Sequence, residues 1–105
     1  MELAAAVLSF SALGHLPRLE VFRLLVRAGP GGMAAGDIAR ETGARQNTLS
    51  SNLAILTAAG LIAPRREGRS IVYSAVNERI GDLIAFLVED AEPETLRSTQ
   101  QPSAK

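Results

Sequence analysis

Apolar residues recur at helical spacing in five stretches of the chain, and a strand-like region separates the fourth stretch from the fifth. Leu3, Val7, Phe10 and Leu13, with Leu8 beside them, form one broad apolar stripe that predicts a first helix. Gly14 and Pro17 close it, and Pro17 suits the opening of a second helix because an N–H there would have no intrahelical partner. In PRLEVFRLLVRAG the spacing turns Leu19, Phe22, Leu25 and Val26 inward and leaves Arg18, Arg23 and Arg27 more exposed. Gly29-Pro30-Gly31-Gly32 breaks the pattern. A short helix is expected from about Ala35 to Thr42, with Ile38 and Ala39 inward. Gly43 then supplies the positive φ that a sharp turn needs.

The fourth helix is predicted over Gln46 to Ala59, with Leu49, Leu53 and Leu56 as its inner stripe, Ile55 beside them and Gly60 as its stop. Two strand-like runs follow, LIAP and SIVYSAV, joined by RREGR with Glu67-Gly68 as the turn. They predict a β-hairpin with a basic tip. The last helix is expected to start after Asn77 as N-cap and to carry Ile80, Leu83, Ile84, Leu87 and Val88 inward. From Glu92 onward periodicity is lost, so residues 1–91 read as one folded domain and 92–105 as a disordered tail. The order α-α-α-α-β-β-α is mostly helical with a small β-hairpin. A short helix, a glycine turn, a helix and a hairpin make a winged helix-turn-helix.

The fourth helix has an unusual front. It begins with Gln46, Asn47, Thr48, Ser50, Ser51 and Asn52, and no carboxylate occurs between Ala44 and Pro64. A helix that only packs carries mixed charges outside, whereas this one offers amides and hydroxyls. Such groups can bond the donor and acceptor edges exposed in the major groove of B-DNA, and a carboxylate there would be repelled by phosphate. The free amide groups at a helix start also favour phosphate nearby. Gln46, Asn47, Thr48, Ser50 and Ser51 are therefore the expected DNA-reading set, while the face of Asn52 turns toward the scaffold. Arg45 stands at the mouth of this helix, where Ser or Thr would cap better, and phosphate contact accounts for it. Arg65, Arg66 and Arg69 on the hairpin reach toward phosphate or an adjacent minor groove. Taken singly, a polar helix start is usually a solvated end, and arginines beside a glycine turn usually serve solubility. Their adjacency, in this order, carries the assignment.

Composition narrows the choice. The 105 residues contain three Phe, one Tyr and no Trp, so the core is aliphatic and suits close helix packing. With no cysteine, disulfides and thiolate metal sites are excluded, and a single histidine leaves little scope for a zinc site or a Ser-His-Asp triad. There is no phosphate loop, no nucleophile beside a base and no paired carboxylates, which argues against an enzyme and against any cofactor. His15, between the first two helices, reads as a capping or core histidine. The formal net charge is zero, yet Arg45, Arg65, Arg66 and Arg69 face only Glu67 between Ala44 and Val76, and acids outnumber bases after it. The apolar N-terminus opens on Glu2 rather than a basic segment and falls short of the roughly 18 residues of a membrane span. It is read as a helix of a cytoplasmic protein without membrane contact.

The stretches LGHLPRLEVFRLLVRAG, GDIARETGARQNTLSSNLAILTAAGLI and RREGRSIVYSAV resemble the ArsR/SmtB family of bacterial winged-helix repressors, over about Ser11 to Glu89. The resemblance implies a homodimer on inverted-repeat double-stranded DNA near its own gene, released by an inducer. It also implies a dimer interface formed by the first and last helices, through Leu3, Val7, Phe10, Leu83, Ile84 and Leu87. Both helices carry apolar stripes wider than so small a monomer needs, and their apolar residues offer a lining for a small-molecule inducer. The two recognition helices would then enter successive major grooves, roughly 10 base pairs apart.

This sequence departs from metal-sensing relatives. Ala34, Ala35 and Gly36 stand where those members have a Cys-x-Cys, and Ala91 and Glu92 follow Asp90 where arsenite sensors have vicinal cysteines. Of the last helix's metal site only carboxylates such as Asp82, Glu89 and Asp90 remain, poor ligands for soft metals. No metal site is expected. Ser51, Asn52 and Ala54 replace the Arg, His and Lys of many relatives, implying weaker, more salt-sensitive binding or a different operator. The neutral charge, the depleted recognition helix and the absence of lysine from the ordered body also fit a second function, a winged-helix module for protein–protein contact with no operator.

Overall fold

A computed structural model describes residues 1–91. The tail expected over 92–105 lies outside the described residues. The elements are α1 (Leu3–Leu13), α2 (Leu16–Ala28), a 3₁₀ turn (Gly29–Gly31), β1 (Met33–Ala34), α3 (Ala35–Thr42), α4 (Gln46–Ala58), β2 (Ile62–Glu67), β3 (Ser70–Ala75) and α5 (Asn77–Leu87). The fold is the mostly helical winged helix-turn-helix that the apolar pattern predicts.

The core is a largely aliphatic layer shared by α2, α3 and α4. Val21, Phe22 and Leu25 meet Ile38, Leu49, Leu53 and Leu56, and Leu61, Ile62 and Leu83 close it from the hairpin and α5. Each buried leucine of this kind contributes about 2 kcal/mol by removal from water. On α2 it is Val21 that turns inward, while Leu19 and Val26 are mostly outside. Likewise Ile55 lies on the outer side of α4. These aliphatic residues sit at the edges of their stripes, where spacing alone does not settle which way a side chain faces.

α1 packs by its small residues. Ala6, Ser9 and Ala12 are buried, and Leu3, Val7 and Leu8 are more than half exposed. Small side chains let α1 approach α4 closely enough for Ser9 Oγ to donate to Ala59 O at 3.2 Å. On α5 only Leu83 is buried, while Ile84 and Leu87 stay well exposed, so the expected inward set is corrected to one residue of the five at full depth.

The helix-turn-helix corner is fixed locally. Gly43 has φ 72°, and its N–H donates to Ala39 O at 2.8 Å. Thr42 Oγ1 donates to Ile38 O at 2.8 Å and accepts from Ala44 N at 3.3 Å. At the far end of α4, Gly60 has φ 76°, and Leu61 N returns to Leu56 O at 3.0 Å. That bond ends the helix in a Schellman turn and drops Leu61 into the core. α5 begins one residue earlier than expected: Asn77 is its first residue, Val76 holds the cap position, and no side chain caps it.

The hairpin is longer than the sequence suggests. Glu67 pairs with Ser70, so Gly68 and Arg69 form the turn in place of Glu67-Gly68. β1 was hidden behind the glycine run. It pairs with β3 as Met33↔Tyr73 and Ala34↔Val72, giving an antiparallel sheet in the order β1-β3-β2. This pairing needs Gly32, which has φ 69° and no room for a Cβ against Tyr73 O and the Val72 side chain. Gly31 has neither constraint. Gly32→Ala is therefore expected to lower the unfolding free energy by about 2 kcal/mol or more, and Gly31→Ala to change it by less than about 0.5 kcal/mol. Urea denaturation followed by circular dichroism checks both.

Candidate nucleic-acid interface

Helix α4 is divided lengthwise. Leu49, Asn52, Leu53 and Leu56 are buried, and Gln46, Asn47, Thr48, Ser50 and Ser51 are exposed. Residues three, four and seven apart share a helix face, so Asn47, Ser50, Ser51 and Ala54 form one stripe. With Gln46 they line a shallow, open concavity along the helix. Thr48 is exposed but stands on the flank outside that patch. Ala54 joins the stripe although the polar pattern passed over it. Its signal was the seven-residue step from Asn47, and a small apolar group there suits contact with a thymine methyl.

Asn47 has a second commitment. Its Oδ1 accepts the Thr48 backbone N–H at 2.9 Å and satisfies a donor in the first turn of α4. The NH2 group keeps both its donors and Oδ1 keeps a second lone pair, so the exposed amide can still bond a base edge. Arg45 occupies the N-cap position, and its side chain makes no capping bond. The start of α4 thus carries unpaired backbone donors and a cation, with no acidic residue in its first turn.

The inner side of α4 is held by a residue that spacing alone left outside. Arg18 on α2 is half-buried; its Nε donates to Ala12 O at 2.7 Å, and Nη1 reaches Asn52 Oδ1 at 3.4 Å. Asn52 belongs to the scaffold, as its face implied, and Arg18 ties α1, α2 and α4 together. Nothing in the chain's local pattern distinguishes Arg18 from Arg23 or Arg27, because its acceptors come from distant segments.

The three hairpin arginines separate. Arg69 lies in the two-residue turn and Arg66 near it on β2, and neither makes an ion pair among the described residues. Arg65 folds back instead. It pairs with Glu67 at 2.6 Å and donates to Pro30 O, Gly31 O and Ser74 Oγ. Arg40 on α3 is paired with Asp37 of the same helix.

Other expected features are placed as follows. His15 holds the N-cap position of α2 but is exposed and makes no side-chain capping bond, so it is neither a hydrogen-bonding cap nor a core residue. Leu3, Val7, Phe10, Ile84 and Leu87 lie on the surface of α1 and α5, while Leu83, grouped with them, faces the chain's own core. A cleft of 470 Å³ lies between α2 and α3, away from these two helices, with Leu16, Leu19 and Leu24 as its apolar lining and Glu20, Arg23, Arg27 and Glu41 as its charged lining. Among the described residues no three His, Cys, Asp or Glu side chains converge as a metal site would require. No helix among them is long and apolar enough to cross a membrane.

Comparison with known proteins agrees with this geometry. A family described as a helix-turn-helix domain matches residues 13–65. The HTH-type transcriptional regulator YgaV of Escherichia coli K12 is 37% identical over 86 residues, which cover 82% of this chain and 83% of that protein. The structure of an ArsR-like transcriptional regulator from Rhodococcus sp. RHA1 superposes with a TM-score of 0.74 at 25% identity, covering 91% of this chain and 87% of the other. The solution structure of a homodimeric winged helix-turn-helix DNA-binding domain from Mycobacterium bovis gives a TM-score of 0.68 at 32% identity, over 95% and 89% of the two chains. The chain belongs to the ArsR/SmtB family of winged helix-turn-helix transcriptional regulators.

Proposed function

We propose that this chain is a homodimeric transcriptional repressor that reads an inverted-repeat operator and leaves it when an inducer binds. The observation that carries the reading is the acid-free stripe of Gln46, Asn47, Ser50 and Ser51, presented outward by a helix whose other side is core. In this reading the stripe enters the major groove, with Thr48 at its flank. Arg45 meets phosphate beside the helix start, and Arg66 and Arg69 follow the backbone or minor groove from the wing. Repression then needs only occupancy of DNA that overlaps a promoter.

The dimer is formed, in the same reading, by the exposed apolar residues of α1 and α5. Leu3, Val7, Phe10, Ile84 and Leu87 make a surface unfavourable to leave in water, and the M. bovis relative is homodimeric. A two-fold axis there would repeat the reading helix about one turn of DNA away. A small-molecule inducer would act by binding better to an arrangement of the two helices that misses that spacing.

Fluorescence anisotropy against the DNA upstream of the chain's own gene, beside a shuffled duplex and at two salt concentrations, tests the function. Preference for the native duplex that weakens with salt is the expected result. Equal binding or none points to the protein-interaction module instead. Replacing Asn47 and Ser50 by Ala is expected to cost roughly 2 kcal/mol on the operator and little on the shuffled duplex. Equal losses on both would remove these residues from base reading. Arg66→Gln and Arg69→Gln are each expected to reduce the slope of log affinity against log salt by about 0.9, on either duplex. Ile84→Glu combined with Leu87→Glu should give a folded monomer in sedimentation velocity with little operator affinity. A dimer that survives both changes would place the interface elsewhere.

A further inference from the structure

Arg65 and Arg66 are neighbours on β2, and strand alternation sends their side chains to opposite faces of the sheet. Arg65 lies opposite Val72, which is buried, and Arg66 opposite Ile71. Arg66 therefore lies on the face whose Ile62, Tyr73 and Ala75 pack against the core, beyond them toward the exposed hairpin tip, and Arg65 shares the other face with Val72 and Ser74.

From that face the Arg65 guanidinium crosses the sheet. Nη1 donates to Ser74 Oγ on the central strand at 3.1 Å and to Pro30 O at 3.2 Å. Nη2 donates to Gly31 O at 2.8 Å, and Nε donates to Glu67 Oε2 at 2.6 Å. Four of the five guanidinium N–H groups are thus taken up by the protein, and little donor capacity is left for a phosphate. The acceptors come from three places: β2 itself, β3, and the turn that links α2 to β1. The side chain joins the wing to the end of α2 over a sequence distance of more than thirty residues.

We propose that Arg65 is a positioning residue of the wing, strapping the hairpin to the Gly29–Gly31 turn and so fixing where Arg66 and Arg69 are presented, without touching DNA itself. The proposal rests on the DNA-reading function above. The site calls for the forked guanidinium in particular. A lysine at this position keeps the charge but cannot hold Ser74 and two carbonyls together.

A double-mutant cycle tests it. Operator affinity is measured for the unsubstituted protein, Arg65→Gln, Arg66→Gln and the pair, with Arg65→Lys alongside and circular dichroism to verify folding. The strap predicts that Arg65→Gln weakens binding several-fold, that Arg66→Gln then adds little in its background, and that Arg65→Lys behaves like Arg65→Gln. Additive losses, with Arg65→Lys close to the unsubstituted protein, would mean that Arg65 makes its own phosphate contact, and the proposal falls. Unchanged affinity in Arg65→Gln overturns it as well. Should Arg65→Gln not fold, Ser74→Ala removes one acceptor of the strap and takes its place in the cycle. If the unsubstituted protein shows no preference for operator DNA, the regulator reading fails, and the strap is judged by amide hydrogen exchange in the hairpin. Faster exchange at Arg66 to Ser70 on losing the strap supports it; unchanged exchange overturns it.

Discussion

Leu49, Leu53 and Leu56 of α4 must bury themselves against Val21, Phe22 and Leu25 of α2 and Ile38 of α3, and the rest of the molecule is arranged around that contact. The three leucines repeat at four and three residues, so they occupy one side of a helix of thirteen residues. At about 2 kcal/mol each they anchor α4 by one face alone, and the other face needs no packing role. That surplus permits a row of amides, hydroxyls and alanine that contributes little to stability. The Gly43 corner, the threonine bonds at Thr42 and the Schellman turn at Gly60 then define where the helix starts, stops and points.

The ties around α4 converge on its inner side and its C-terminal end. Ser9 reaches Ala59 O from α1, Arg18 reaches Asn52 from α2, and the Arg79 guanidinium of α5 lies against Gly60. Helices α1 and α5 also carry exposed apolar residues, so the elements suited to meet a second copy touch the C-terminal end of α4 directly. On the proposed function, a change in how two copies meet would reach α4 as a change of tilt or separation. This gives a physical route by which an inducer could act without touching α4.

Much of this was legible in the chain. The short helix, the Gly43 turn, α4 and the hairpin each announce themselves through apolar spacing and glycine, and the polar front of α4 points to its chemistry. What was not legible depends on contacts distant in sequence. Nothing local shows that α1 would bury Ala6, Ser9 and Ala12 in place of Leu3, Val7 and Leu8, because the choice follows from the close approach of α4. Periodicity likewise gives both Leu83 and Ile84 to the apolar side of α5, and only the packed core separates them. β1 is two residues long, and its pairing is set by β3 some forty positions later. Arg65 and Arg66 look alike in the sequence, yet only Arg65 lies on the sheet face from which its guanidinium reaches Ser74 and the Gly29–Gly31 turn.

The central claim is that the outward stripe of α4 lies in the major groove at two places on one operator. Dimethyl sulfate interference measures this directly, since methylation at guanine N7 blocks the major groove alone. Two clusters of interfering guanines about 10 base pairs apart are expected, related by the symmetry of the operator. Binding that tolerates N7 methylation throughout, or a single cluster without its symmetry mate, would contradict the account.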